Sequence, residues 1–159
     1  MKLLEPEAIP MQFHYRRSHP LTSKGWAEVR KKELARTGGK CEYCGNSGRI
    51  IHHEYEYKTD LVENTIQRIV VGFAVSCYRC NEVLHFVSFA SNTARGERAI
   101  EHFMRVRGFT ELEARNMVLL KVNKWAELCR MTPVYGEADR YKLRSDGIYV
   151  DMQTGIEIR

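Results

Sequence analysis

Apolar and polar positions recur at two periods along the chain, and each change of period marks an element. From Ser23 to about Thr37 the stripe Trp26, Val29 and Leu34 has helical spacing, and Gly38-Gly39 supplies a left-handed stop. Arg49 to His53 reads as a short strand after the turn-forming run Gly45-Asn46-Ser47-Gly48. Ile69 to Ser76, richer in β-branched residues, reads as a second strand, and the polar stretch 54–68 between them as a long loop. Val83, Leu84, Phe86, Val87 and Ala90 then place a helix from Cys80 to about Ala90. Two further helices are predicted near 94–107 and 110–131, the second opened by the capping-box pattern Thr110-Glu111-Leu112-Glu113. Residues 140–159 read as an antiparallel meander with turns at Ser145-Asp146-Gly147 and Gln153-Thr154-Gly155. The start, with Pro6, Pro10 and Pro20, reads as an irregular arm over 1–22, and no internal repeat is present.

Composition narrows the class. The chain has 159 residues, 43% hydrophobic and 28% charged, with four prolines, which excludes disorder and low complexity. No apolar run approaches the roughly 18 residues of a membrane span. The opening Met1-Lys2-Leu3-Leu4-Glu5-Pro6 is no apolar signal segment, so a cytoplasmic, reducing location without membrane contact is expected. The net charge of +5 favours an anionic partner, and its distribution sharpens that preference. Residues 1–40 carry +5, 41–90 carry −2, 91–131 carry +3 and 132–159 carry −1, so the basic character flanks the centre.

Cysteine spacing changes the picture most. Cys41 and Cys44 form one CxxC pair, Cys77 and Cys80 another, and Cys129 stands apart in a helical pattern as a small hydrophobe. Two such turns supply the four thiolates of a closed structural Zn²⁺ site. A redox CxxC is the rival, disfavoured by two pairs in one small domain. The predicted fold is α+β: a small zinc-stabilised ββα core over 23–92, a helical hairpin over 93–131 and a C-terminal β-meander over 132–159, preceded by the arm.

Three of the six histidines lie inside the zinc frame: His52 and His53 at the end of the first strand and His85 on the following helix. Asn81 and His85, one turn apart, share a helix face. His52 and His53 would face opposite ways on a regular strand, so one site can use both only where the strand ends or bends.

The runs GKCEYCG, IIHHEYEY and VSCYRCNEVLH resemble the HNH endonucleases, a family with a ββα-metal core and, here, a four-cysteine zinc site. The resemblance covers about residues 24–90. It implies that His53 is the general base, that His52, Asn81 and His85 hold a catalytic Mg²⁺ or Mn²⁺, and that DNA is cut to leave 5′-phosphate and 3′-hydroxyl ends. Asparagine at 81 departs from the commoner histidine and makes a harder, weaker ligand, or else a cap of its helix. Asn64 matches the motif's middle asparagine, a brace between the strands, and Arg49 and Arg79 are candidates for holding phosphate. Small members of the family occur in phages, mobile elements and restriction systems. The chemistry suits the residue types: histidine titrates near neutrality, and a cation offsets charge on the phosphate and the departing oxygen.

Other residues have plainer readings. His14, His19 and His102 are expected at the surface, and Tyr55 and Tyr57 as packing for the loop. Arg95, Arg98, Arg105 and Arg107 can meet phosphates or simply face solvent. The apolar stripes of the helical pair suit packing on the core or on a second copy in a homodimer. Besides the nuclease, the sequence supports a catalytically inactive zinc-stabilised module that binds nucleic acid, and a zinc-stabilised interaction domain with no nucleic-acid role.

Overall fold

The computed structural model describes residues 1–13, 23–89, 93–134, 141–143, 149–151 and 157–158. Helix α1 spans Ser23–Thr37 and ends on Gly38 and Gly39, with φ of 61° and 69°, the left-handed stop expected from the sequence. Strands β1 (Ile50–Asp60) and β2 (Thr65–Ser76) form an antiparallel hairpin, and α2 (Tyr78–Leu84) follows directly. Helices α3 (Thr93–Arg107) and α4 (Glu111–Cys129) succeed it. Thr110 and Glu113 close the capping box at the start of α4. A short β3 (Thr132–Pro133) runs parallel to the start of β2. The strands β4 (Tyr141–Leu143), β5 (Tyr149–Asp151) and β6 (Glu157–Ile158) form a separate antiparallel meander in that order. Its expected turns, together with His14 and His19, lie outside the described residues. The architecture is α+β, a ββα core with flanking helices and a C-terminal meander.

The stretch 54–68 is not a loop. β1 continues to Asp60 and β2 begins at Thr65, leaving only the turn 61–64. Glu54-Tyr55-Glu56-Tyr57-Lys58 alternates polar and aromatic residues, a period-two signal hidden by its polarity. At the turn, the Asp60 carboxylate accepts the N–H groups of Val62 and Glu63 at 2.9 and 3.0 Å. Asn64 takes φ 51°, a conformation asparagine tolerates.

The hairpin has a core on each side. Toward α1, Val29, Ile51, Ile69, Val70 and Val75 pack with Trp26, Tyr55 and Phe73. The larger core joins Leu4, Tyr43 and Ala74 to Leu84 of α2, Phe103 of α3 and Val118 of α4. The first residues are irregular, as expected, but firmly built in. The Lys2 N–H donates to the Glu42 carbonyl at 2.7 Å and the Glu7 N–H to the Leu84 carbonyl at 2.9 Å. Between these ties, Leu4 and Pro6 are fully buried.

Helix α2 is shorter than its apolar pattern suggests. His85 is its C-cap, and Phe86–Phe89 tighten into a 3₁₀ turn.

Candidate metal centre

The first cysteine pair sits in a knuckle closed by two backbone bonds: Cys41 N–H to the Asn46 carbonyl at 2.7 Å, and Gly45 N–H to the Cys41 carbonyl at 2.9 Å. Gly48 lets the chain return close beside it, since a methyl group there would lie 2.8 Å from both the Cys41 nitrogen and the Val75 Cγ1. Glu42 docks the knuckle on β2: its N–H reaches the Val75 carbonyl at 2.9 Å and its carboxylate accepts the Val75 N–H at 2.7 Å. The second pair opens α2. Cys77 is the N-cap, its sulfur accepting the Cys80 N–H at 3.3 Å.

All four sulfurs lie within 4.8 Å of one another, and those of Cys44 and Cys77 are 3.7 Å apart. A tetrahedron with Zn–S bonds of about 2.3 Å has an edge of about 3.8 Å, so the cluster fits a structural Zn²⁺. Its acid–base state suits a cation as well. A hydrogen bond from Cys80 pulls Cys41 down to about 4, while the same bond and burial push Cys80 up. Burial also raises Cys44. The Cys41 thiolate therefore forms readily, while Cys44 and Cys80 resist until positive charge arrives.

His102, expected at the surface, is buried on α3 with its Nε2 3.2 Å from the Cys80 sulfur. Burial and the nearby Arg105 hold its pKa below the usual histidine value, so a neutral ring, in the tautomer protonated at Nε2, offers one N–H to the Cys80 sulfur once zinc makes that sulfur a thiolate. Such outer partners orient metal ligands. Replacing His102 by alanine is expected to weaken zinc retention about tenfold or more, measured as release to a coloured chelator. His102→Gln, which keeps an N–H donor, should recover part of the loss. Equal release rates from the wild type and the alanine variant would contradict this role.

The histidine pair is divided by the pleat. His52 pairs with Ala74 and His53 with Phe73 in a regular ladder, and the register shifts only beyond, between Glu54 and Tyr55. His53 therefore faces α1, stacked on Trp26 at 4.8 Å and on Tyr55 at 5.6 Å between ring centres. His52 faces α2, where its ring meets that of His85 edge-on at 4.9 Å. Asn81 lies one turn before His85, whose N–H bonds its carbonyl at 3.1 Å. Cys77 holds the N-cap, so Asn81 does not cap α2. Its Oδ1 is buried with no hydrogen-bond partner among the described residues. Among those residues, the four cysteines are the one group of three or more Cys, His, Asp or Glu whose ligand atoms lie within 4.8 Å. His52 and His85 are thus brought together, with Asn81 on the same helix face, but no second set of metal ligands is closed.

The supporting residues are dispersed. Asn64 sits at the far tip of the hairpin and ties it to the end of α4: its carbonyl accepts the Thr132 N–H at 2.9 Å, and its Nδ2 donates to the Arg130 carbonyl at 3.4 Å. Arg79 binds the fully buried Glu82 carboxylate at 3.2 Å, which also receives Arg95 of α3 at 3.0 Å. Arg49 is exposed at the foot of β1. No local pattern points to Glu7, whose Oε1 lies 2.8 Å from the Nε2 of His52.

A zinc-binding ββα module is the class that this fold and cysteine cluster define. No known protein family, curated protein or solved structure matches the chain. Among the described residues, no helix is long and apolar enough to cross a membrane.

Proposed function

We propose that the chain is a nucleic-acid-binding module built on a zinc-framed ββα core. The observation that carries this reading is the cysteine cluster, which clamps the foot of the hairpin to the N-terminus of α2 in the arrangement typical of the HNH resemblance. The excess of basic residues on both flanks supports a polyanionic partner, DNA in the first instance.

A second reading, metal-dependent HNH hydrolysis of DNA, is favoured by the meeting of His52 with His85 and by the buried, unpartnered Oδ1 of Asn81. In it His52, Asn81 and His85 hold Mg²⁺ or Mn²⁺, which when bound would stabilise charge on the phosphate and the leaving oxygen. His53 is then the base. It has to turn away from Trp26 to reach the face of His52, and the register shift at Glu54/Tyr55 is where β1 can yield.

Supercoiled plasmid incubated with zinc-loaded protein separates the readings. Both expect retardation that fades as salt rises. Nicking or linearisation on adding Mg²⁺ or Mn²⁺, reduced about a hundredfold or more in His53→Ala, establishes hydrolysis with His53 as the base. Binding without cleavage under either metal leaves the binding module. Absence of binding at low salt removes both.

A further inference from the structure

We infer that the outer face of α4 is a dimer interface, on which a second copy of this chain docks antiparallel about a two-fold axis beside Leu119. The surface lies apart from the zinc cluster, so the inference stands whether or not the chain binds nucleic acid.

The first observation is that α4 is apolar on two sides. Ala114, Val118 and Leu128 are buried against the rest of the fold. Leu112, Leu119 and Leu120 lie on the other side, 71%, 57% and 64% exposed. With Asn116 and Asn123, also exposed, they recur at the three- and four-residue steps of one helix face. A helix on the surface of a domain needs one apolar stripe for its core, and a second stripe calls for a second partner. A groove of about 340 Å³, lined by Phe86, Ile100, Val118 and Leu119, runs beside this strip between α3 and α4. One surface thus offers both leucines that project and a recess that can take one, as a contact between identical faces requires.

Charge selects the partner and its direction. Glu113 and Lys124 are eleven residues apart, about three turns of helix, so they lie along the same edge of the strip. About a two-fold axis, antiparallel helices bring together residues at equal distances on either side of the axis, so Glu113 of each copy meets Lys124 of the other. The midpoint of the two falls between Val118 and Leu119, within about one residue of the middle of the strip 112–123. Charge and apolar pattern therefore call for the same axis. Both groups can take a new partner: Lys124 holds only an exposed 3.3 Å pair with Glu127, and Glu113 gives Oε2 alone to the Thr110 cap. Along the other edge Arg115 is neutralised by Glu97 and Glu111, each at 2.8 Å, so this cation does not meet its own copy unpaired. A parallel pair, in contrast, sets Glu113 against Glu113 and Lys124 against Lys124.

The area suffices. The 19-residue helix is about 28 Å long, and strip and groove together are about 20 Å broad, so two copies cover about 1,100 Å², just above the roughly 1,000 Å² of a specific contact.

The test is sedimentation equilibrium of the zinc-loaded full chain from about 5 to about 500 μM. The average mass is expected to rise from that of one chain toward that of two, with a midpoint at about 10–100 μM. Leu120→Glu, lost twice in a two-fold contact, should weaken association about a hundredfold. Glu113→Lys and Lys124→Glu each set like charges together and should weaken it about tenfold. An equal mixture of these two variants brings opposite charges together at both contacts and should recover wild-type association, which loss of the Thr110 cap alone does not predict. Zinc content and helical signal equal to wild type show that each variant is folded, and Lys124→Glu, at an exposed position, serves should Leu120→Glu not fold. Wild type that remains a single chain at the highest concentration overturns the inference, whatever else covers the strip. Association unaltered by Leu120→Glu overturns it as well, and a mixture that fails to recover overturns the antiparallel pairing.

Discussion

Stripping zinc from the loaded protein is expected to abolish its cooperative thermal unfolding. Cys41 and Cys80 belong to the larger core, packed among Leu4, Tyr43, Leu84 and Phe103, so the cluster is embedded in the same apolar mass as α2, α3 and α4. Without a cation, this core must enclose four sulfur groups. One of them, Cys41, is drawn toward the thiolate by the hydrogen bond from Cys80, while burial keeps Cys44 protonated. Zinc on such sites contributes about 10–16 kcal/mol in small zinc-dependent folds, against about 5–15 kcal/mol of total stability for a domain. Losing it should therefore leave the ββα centre unfolded, with helical signal persisting only in part. Cys80→Ser should reproduce the effect of a chelator. Cys129→Ser should not, because Cys129 lies outside the cluster and accepts only a 3.4 Å bond from the Met11 N–H in the described residues. Calorimetry with and without chelator measures both. A chelated protein that melts like the loaded one would show that the cysteines do not hold the fold.

What the sequence discloses follows from the range of each interaction. Helix α1 was legible to the residue because its stop, Gly38-Gly39, is local. The zinc frame was legible because CxxC spacing carries its geometry within four residues. The length of the hairpin was not, because Glu54 to Lys58 is a polar ribbon in which Tyr55 and Tyr57 provide the half-buried face, and polarity masked the alternation. His102 and Glu7 were illegible for another reason. Their partners, Cys80 and His52, lie 22 and 45 residues away, and no local pattern encodes a contact made by packing α3 or the first residues onto the core. The histidine pair lies between these cases. That neighbours on a strand face opposite ways was readable, but the extension of β1 past His53, which keeps them apart, depended on the hidden alternation.

The arginines of α3 give the sharpest test of nucleic-acid binding, because the structure divides them by task. Arg95 is paired with buried Glu82, and Arg107 donates to the Leu4 carbonyl at 2.7 Å, lies 3.4 Å from Glu5 and stacks over Phe109 at 4.5 Å. Arg98 and Arg105 are exposed and form no ion pair among the described residues. Seven residues apart, they lie on one side of α3, opposite the face that buries Ala99 and Phe103. Exchanging both for alanine is expected to weaken DNA binding about tenfold or more near 0.1 M salt. The plot of log affinity against log salt should become shallower by about two, as for the loss of two phosphate contacts. The melting temperature should stay unchanged. Arg107→Ala should behave in the opposite way. It removes a charged hydrogen bond that fastens the first residues to α3, costing about 2 kcal/mol of stability with the salt slope preserved. Salt-dependent binding isotherms and thermal melts on the same two proteins therefore give crossed results. A double variant with an unaltered slope would place the phosphate contacts elsewhere than α3, with the basic residues of α1 the next to examine.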